Sequence, residues 1–227
     1  MATNPNSMVQ EAVDAAISKR GEIGLQVVAY VDGKQVVDVW GGLADITTGR
    51  QVDADTVFPV FSVTKAVTAV ALHVQAERGL VRRACLPGAG GIMNARSAAR
   101  FFAMLAQGGA LDGVRLLSEE RVRWFSVPRP PCDYDYVQGV PHNGGIGGFH
   151  LVASIGNAAP PLSMVAAGRN PRTFGHPGAG GSIGWADPDT RLAVAMTHNR
   201  MFRATTPEEN PFVPIGEAVR KALGVSG

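Results

Sequence analysis

The chain has 227 residues, 45% of them apolar, enough for one packed domain or one domain with a small addition. Lys and Arg number 21 against 19 Asp and Glu, a net charge of +2, and the arginines are scattered, so no nucleic-acid partner is expected. No apolar run reaches membrane-spanning length and residues 1–10 are polar, without the apolar core of a signal peptide, so a cytoplasmic protein with no membrane partner is expected.

Asn4-Pro5 opens an amphipathic helix carried by Val9, Val13, Ala16 and Ile17 and closed by Gly21. Apolar runs at 25–31 and 35–40 flank Asp32-Gly33, a hairpin signal because glycine accepts the positive φ of a tight turn. Gly41-Gly42 is expected to end the second strand, and Thr47-Thr48-Gly49 to make a further turn. A strand-like run at 56–61 leads directly into a helix that runs from Ser62 to Gly79. After a Gly-Pro loop, Asn94 opens a second helix with Ala98, Phe101, Phe102 and Leu105 on one face. Gly108-Gly109 closes it, Asp112-Gly113 turns, and Ser118-Glu119-Glu120 caps a short helix. Residues 144–152 read as a Gly-rich strand, 173–178 and 181–186 as strand, bend and strand, and 191–197 as a buried strand. A closing helix runs from Pro207 to Leu223. Trp124, Phe125 and Trp185 are expected in the core. The pattern predicts an α/β (α+β) fold, a mostly antiparallel sheet with helices on its faces.

The most informative stretch is Ser62-Val63-Thr64-Lys65, at the junction between the 56–61 run and its helix. A lysine three residues after a serine lies on the same helical face, one turn on. A serine hydroxyl is a poor nucleophile until a neighbour takes its proton, and a desolvated lysine can do so. The alternative is a serine that caps the helix beside an unrelated surface lysine.

Other constellations carry less. Gly180-Gly181-Ser182-Ile183-Gly184 matches a nucleophile elbow, but a turn and a strand follow it instead of a helix, and His198 comes too soon after it. Glycines easing a bend explain it better. The histidines at 73, 142, 150, 176 and 198 show no ligand spacing, and Cys85 and Cys132 form no CxxC pair, so no metal and no cofactor are expected. The two thiols are expected to be free.

Several blocks in order resemble the SxxK serine hydrolases: class C β-lactamases, penicillin-binding-protein-like enzymes and family VIII carboxylesterases. They are Trp40-Gly41-Gly42 with Ala44-Asp45, Phe61-Ser62-Val63-Thr64-Lys65, 86–91 with Ala95-Arg96 and Ala99-Arg100, 174–182, and Trp185-Ala186-Asp187-Pro188. The likeness covers most of the chain from about Gly24 to Leu223. It implies a serine β-lactamase-like domain over residues 1–227, with 86–131 as what remains of the family's helical region. It also implies Ser62 as acylated nucleophile, Lys65 as its base, and the backbone N–H groups of Ser62 and Ala179 as oxyanion hole. His176-Pro177-Gly178 aligns with the family's Lys-Thr-Gly motif, so His176 and Gly178 are expected to line the substrate.

One departure is large. The family's tyrosine motif should lie between the Ser62 helix and Leu86-Pro87, yet no tyrosine occurs between Tyr30 and Tyr134. The chain reads as an internally shortened member. Tyr134 and Tyr136, or His176 as a spare base, are the candidate replacements; the alternative for His176 is a sheet-lining histidine that only shapes the site. The expected substrate is a small ester, or a β-lactam amide, with the ester favoured because His176 gives a weaker anchor for a substrate carboxylate than lysine. The alternative is an inactive scaffold that only binds a partner. Loss of a packed helical region would bare apolar surface, so a homo-oligomer is expected.

Overall fold

The structure, a computed structural model, describes residues 4–79, 90–130, 143–156, 158–202 and 204–225. The elements in chain order begin with helix α1 (Pro5–Arg20), strands β1 (Gly24–Val31), β2 (Lys34–Asp45), β3 (Arg50–Gln51) and β4 (Phe58–Phe61), and helix α2 (Val63–Glu77). Then come β5 (Gly91–Met93), α3 (Ala95–Ala106), β6 (Ala110–Leu111), β7 (Val114–Arg115) and α4 (Glu119–Arg123). The last third holds β8 (His150–Leu151), β9 (Phe174–Pro177), β10 (Ile183–Asp187), β11 (Leu192–His198) and α5 (Phe212–Leu223).

Seven strands form one sheet in the order β3-β2-β1-β11-β10-β9-β8, every pairing antiparallel. The first hairpin thus pairs with the last long strand, Leu25 opposite His198 and Val31 opposite Leu192, joining the two ends of the chain. Strand alternation sends side chains to two cores. Leu25, Val27 and Ala29 of β1, with Leu192, Val194 and Met196 of β11, face Val9 and Val13 of α1 and Phe212, Ile215 and Val219 of α5. Val28, Tyr30, Ala193 and Ala195 face the other way, toward Phe102 and Leu105 of α3 and Val63, Ala66 and Val70 of α2. A sheet covered on both faces needs continuous apolar strands, which is why 25–31 and 192–198 lack a polar alternation.

Helices α1 and α3 start at side-chain caps. Asn4 accepts from the Asn6 N–H with Pro5 in the first turn, and Asn94 accepts from the Ser97 N–H. The antiparallel sheet with flanking helices expected from the sequence is the fold observed.

Three local expectations need correction. β2 does not stop at Gly41-Gly42; its ladder continues, with Gly41 opposite Leu25 and Gly42 opposite Gly24. Gly41 is there for close approach, since a Cβ would stand 2.9 Å from Ile17 Cδ1 of α1. The 144–152 segment is a turn followed by the two-residue β8, because Gly145 and Gly147 press against Phe125 and leave no room for an extended side-chain ladder. Trp124 is 41% exposed, its ring lying under the Arg121 guanidinium at 4.5 Å, while Phe125 and Trp185 are buried.

Candidate active site

α2 begins immediately after β4, and the junction is strained. Phe61 closes β4 with φ +46°, a left-handed conformation that a bulky residue rarely adopts. Thr64 fixes the turn: its hydroxyl donates to the Phe61 carbonyl at 2.5 Å and accepts from the Gly91 N–H of β5 at 2.9 Å. The next residue, Ser62, has helical dihedrals (φ −67°, ψ −8°), and its side chain makes no capping hydrogen bond. Lys65 Nζ stands 2.7 Å from Ser62 Oγ instead. The capping role is therefore not the one this serine plays.

β9 approaches this junction from the large sheet. Gly178, just beyond it, passes so near β4 that a Cβ would stand 2.4 Å from the Val60 carbonyl oxygen, two residues before Ser62. The Gly178 N–H donates to the Ser182 carbonyl at 2.6 Å, closing a tight loop. Ala179 is exposed on that loop and shares a cavity of about 120 Å³ with Pro59, Phe61, Ser182, His198 and Met201, among others.

His176 is buried on β9. Its Nδ1 lies 2.8 Å from the Pro177 carbonyl, which can only accept, so Nδ1 carries the proton and Nε2 keeps a lone pair. Burial pushes its pKa down to about 4, helped by His150 and by the Lys65 charge. His150, on the neighbouring strand β8, stands edge-on to it with ring centroids 5.1 Å apart. Spacing gave no signal for His150, because the contact is made across a strand pairing, His150 opposite Gly175.

The fold thus brings Ser62 and Lys65 into contact, sets Gly178 against the strand that leads to Ser62, and places Ala179 in a cavity with Phe61. Ser182 is buried at the start of β10, where no helix follows it. Tyr134, Tyr136, Cys85, Cys132, His142 and the 86–89 part of the resembling block lie outside the described residues. The one tyrosine among the described residues, Tyr30, lies in the core with its hydroxyl on Gln35. Among the described residues no group of three or more His, Cys, Asp or Glu could hold a metal ion, and no helix is long and apolar enough to cross a membrane.

The comparisons with known proteins bear on the family and the fold. A family model described as "Beta-lactamase" matches residues 9–84 and 81–214. The esterase/beta-lactamase LipL of Mycobacterium tuberculosis is 38% identical over 150 residues, 66% of this chain. That match spans only 32% of LipL, about a third of its length. A family VIII carboxylesterase structure superposes with TM-score 0.79 at 18% identity, covering 96% of this chain and 98% of that one. A penicillin-binding protein homologue from Caulobacter crescentus gives 0.78 at 17%, with the same coverage of each chain. The structural likenesses establish the fold, and the family model, matched over most of the sequence and including the Ser62–Lys65 helix, establishes that this chain belongs to the beta-lactamase family.

Proposed function

We propose that this chain is a serine hydrolase that cleaves small neutral esters through an acyl intermediate on Ser62, with Lys65 as base. The observation that carries the reading is the 2.7 Å contact between Lys65 Nζ and a Ser62 hydroxyl not engaged in capping. That is within reach for direct proton transfer. Lys65 Nζ takes the hydroxyl proton while Oγ attacks the ester carbonyl carbon. The oxyanion that forms is received by the N–H groups of Ser62, at the helix N-terminus, and Ala179, on the facing loop. Fixed donors of this kind are often the largest single contribution to acyl transfer. The proton on Lys65 then passes to the departing alkoxide, which leaves as alcohol. Water attacks the acyl–Ser62 carbonyl with Lys65 again accepting a proton, and the acid leaves as Oγ is reprotonated.

Preference for a neutral ester follows from His176. With a pKa of about 4 it is uncharged at neutral pH and offers no cation to a substrate carboxylate. The names of the relatives, an esterase/beta-lactamase and a carboxylesterase, are consistent with that class of substrate.

The test is labelling with a fluorophosphonate followed by mass spectrometry. An adduct on Ser62, absent in Ser62→Ala, and faster turnover of p-nitrophenyl butyrate than of nitrocefin are expected. Folded protein that takes no adduct would leave only a binding scaffold. Nitrocefin turning over faster would reverse the substrate preference.

A further inference from the structure

Glu22 and His198 lie 176 positions apart and meet behind the loop that carries Ala179. His198 Nδ1 is 2.9 Å from Glu22 Oε2, and the two side chains are 2% and 0% exposed. A carboxylate is almost never this buried unless it is paired. Its other oxygen, Oε1, makes no hydrogen bond; the Arg200 Nη1 stands 3.6 Å from it and is itself held by the Arg20 carbonyl at 2.6 Å. A buried pair of this kind is a poor source of stability, because desolvation cancels much of the attraction. What it does supply is direction.

With Nδ1–H committed to Glu22, the opposite edge of the imidazole is turned to Gly181. A Cβ at Gly181 would stand 2.6 Å from Phe202 Cε1, 2.8 Å from His198 Nε2 and 3.0 Å from His198 Cε1, and the residue has φ +128°, so neither the space nor the backbone admits a side chain. Phe202 and Phe212 meet the same ring edge-on at 5.5 and 4.8 Å. The loop is tied down further where the Phe202 N–H donates to the Gly180 carbonyl at 3.3 Å. On its other side the loop abuts the Val60 carbonyl at Gly178. Ala179 therefore sits on a loop clamped between β4 in front and the His198 ring behind.

We infer that Glu22 and His198 are a positioning pair for the oxyanion donor: Glu22 locks the imidazole in one orientation, and the locked ring holds the 178–182 loop so that the Ala179 N–H stands fixed relative to Ser62. Neither residue touches the reacting atoms. A donor displaced by a fraction of an ångström loses much of its effect on the transition state while substrate binding is little changed. The catalytic consequence rests on the acyl–Ser62 reading above; the anchoring of the loop does not.

The experiment combines hydrogen exchange of the peptide spanning 178–182 with steady-state kinetics on p-nitrophenyl butyrate, scaled to the fraction of Ser62 that a fluorophosphonate labels. Glu22→Leu, which removes the acceptor, is expected to speed loop exchange about tenfold and to lower kcat about 10- to 100-fold with KM changed less than about twofold. Glu22→Gln, which keeps an acceptor oxygen for Nδ1–H, is expected to restore most of kcat. His198→Gln serves as the second variant should Glu22→Leu fail to fold. A purely structural role would lower Tm and the labelled fraction but leave kcat per labelled site alone, and that result, or unchanged loop exchange, overturns the inference. Loosening of the loop in a protein whose wild type takes no label would sustain the anchoring and sink the acyl-serine reading instead.

Discussion

Ser62 Oγ and Lys65 Nζ stand 2.7 Å apart, one turn along α2, and the hydroxyl makes no bond to the helix backbone that would compete. Phe61, held with positive φ by the Thr64 bridge to β5, presents the serine at the helix start. The pair lies at the meeting of two sheets, since β4 belongs to a two-stranded ribbon with β5 and β9 to the seven-stranded sheet. Lys65→Met keeps the length of the side chain and removes the amine. It should lower kcat/KM for p-nitrophenyl butyrate by about 10²–10⁴ while the far-ultraviolet circular dichroism stays that of wild type. A variant that keeps full activity would remove Lys65 from the chemistry.

Gly178 tests whether the contact between β9 and β4 matters. A methyl at this position would be driven against the Val60 carbonyl oxygen, a backbone atom that cannot rotate away. Gly178→Ala should cost about 1–3 kcal/mol of stability and reduce kcat by more than the loss of folded protein explains. Chemical denaturation measures the first and active-site titration the second. An alanine variant as active and as stable as wild type would mean that the strands are not held together here.

His176 makes stability depend on pH with a definite sign. Its pKa is pushed down to about 4, first by burial and then by His150, from an ordinary value near 6.5. Between those values the unfolded chain binds a proton that the folded chain refuses, so stability rises with pH across that window and is lost as pH falls toward 4. The contribution is about 1–3 kcal/mol. Urea midpoints measured from pH 4 to pH 7 should climb for wild type and climb less for His176→Phe. Parallel curves for the two proteins would assign the pH dependence to other groups.

Val57, Pro59 and Ile92 form an exposed apolar face on the β4–β5 ribbon and the residue before it. Ile92 is 67% exposed and Val57 56%, and Ile92 sits directly opposite Pro59 in the pairing. Alternation puts Val57 and Pro59 on the same side. This is the surface expected to drive self-association. Light scattering should show a mass that rises with concentration, and Ile92→Lys should return the protein to monomer. A monomer at all concentrations in wild type would remove the expectation.

Much of the fold was legible because its rules are local. Asn4-Pro5 and Gly21 bound α1, Asp32-Gly33 turns β1 into β2, and continuous apolar runs at 25–31 and 192–197 require cover on both faces. Ser62 and Lys65 were legible for the same reason: three residues on a helix fix a shared face whatever surrounds it. Where local rules misled, a distant partner had overridden them. Gly41 sits under Ile17 of α1, and Gly145 and Gly147 yield to Phe125.

The sequence by itself determined the element order, the antiparallel sheet and the spacing of serine and lysine, because each follows from backbone periodicity and the conformational limits of a few residue types. Only the tertiary structure decided that the Ser62 hydroxyl turns to Lys65 and away from the backbone, that His150 stands beside His176, and that Glu22 backs His198 from the opposite end of the chain. Those relationships depend on which strands pair and how closely helices pack over them, and an orientation set by such long-range packing leaves no periodic trace in the residues that share it.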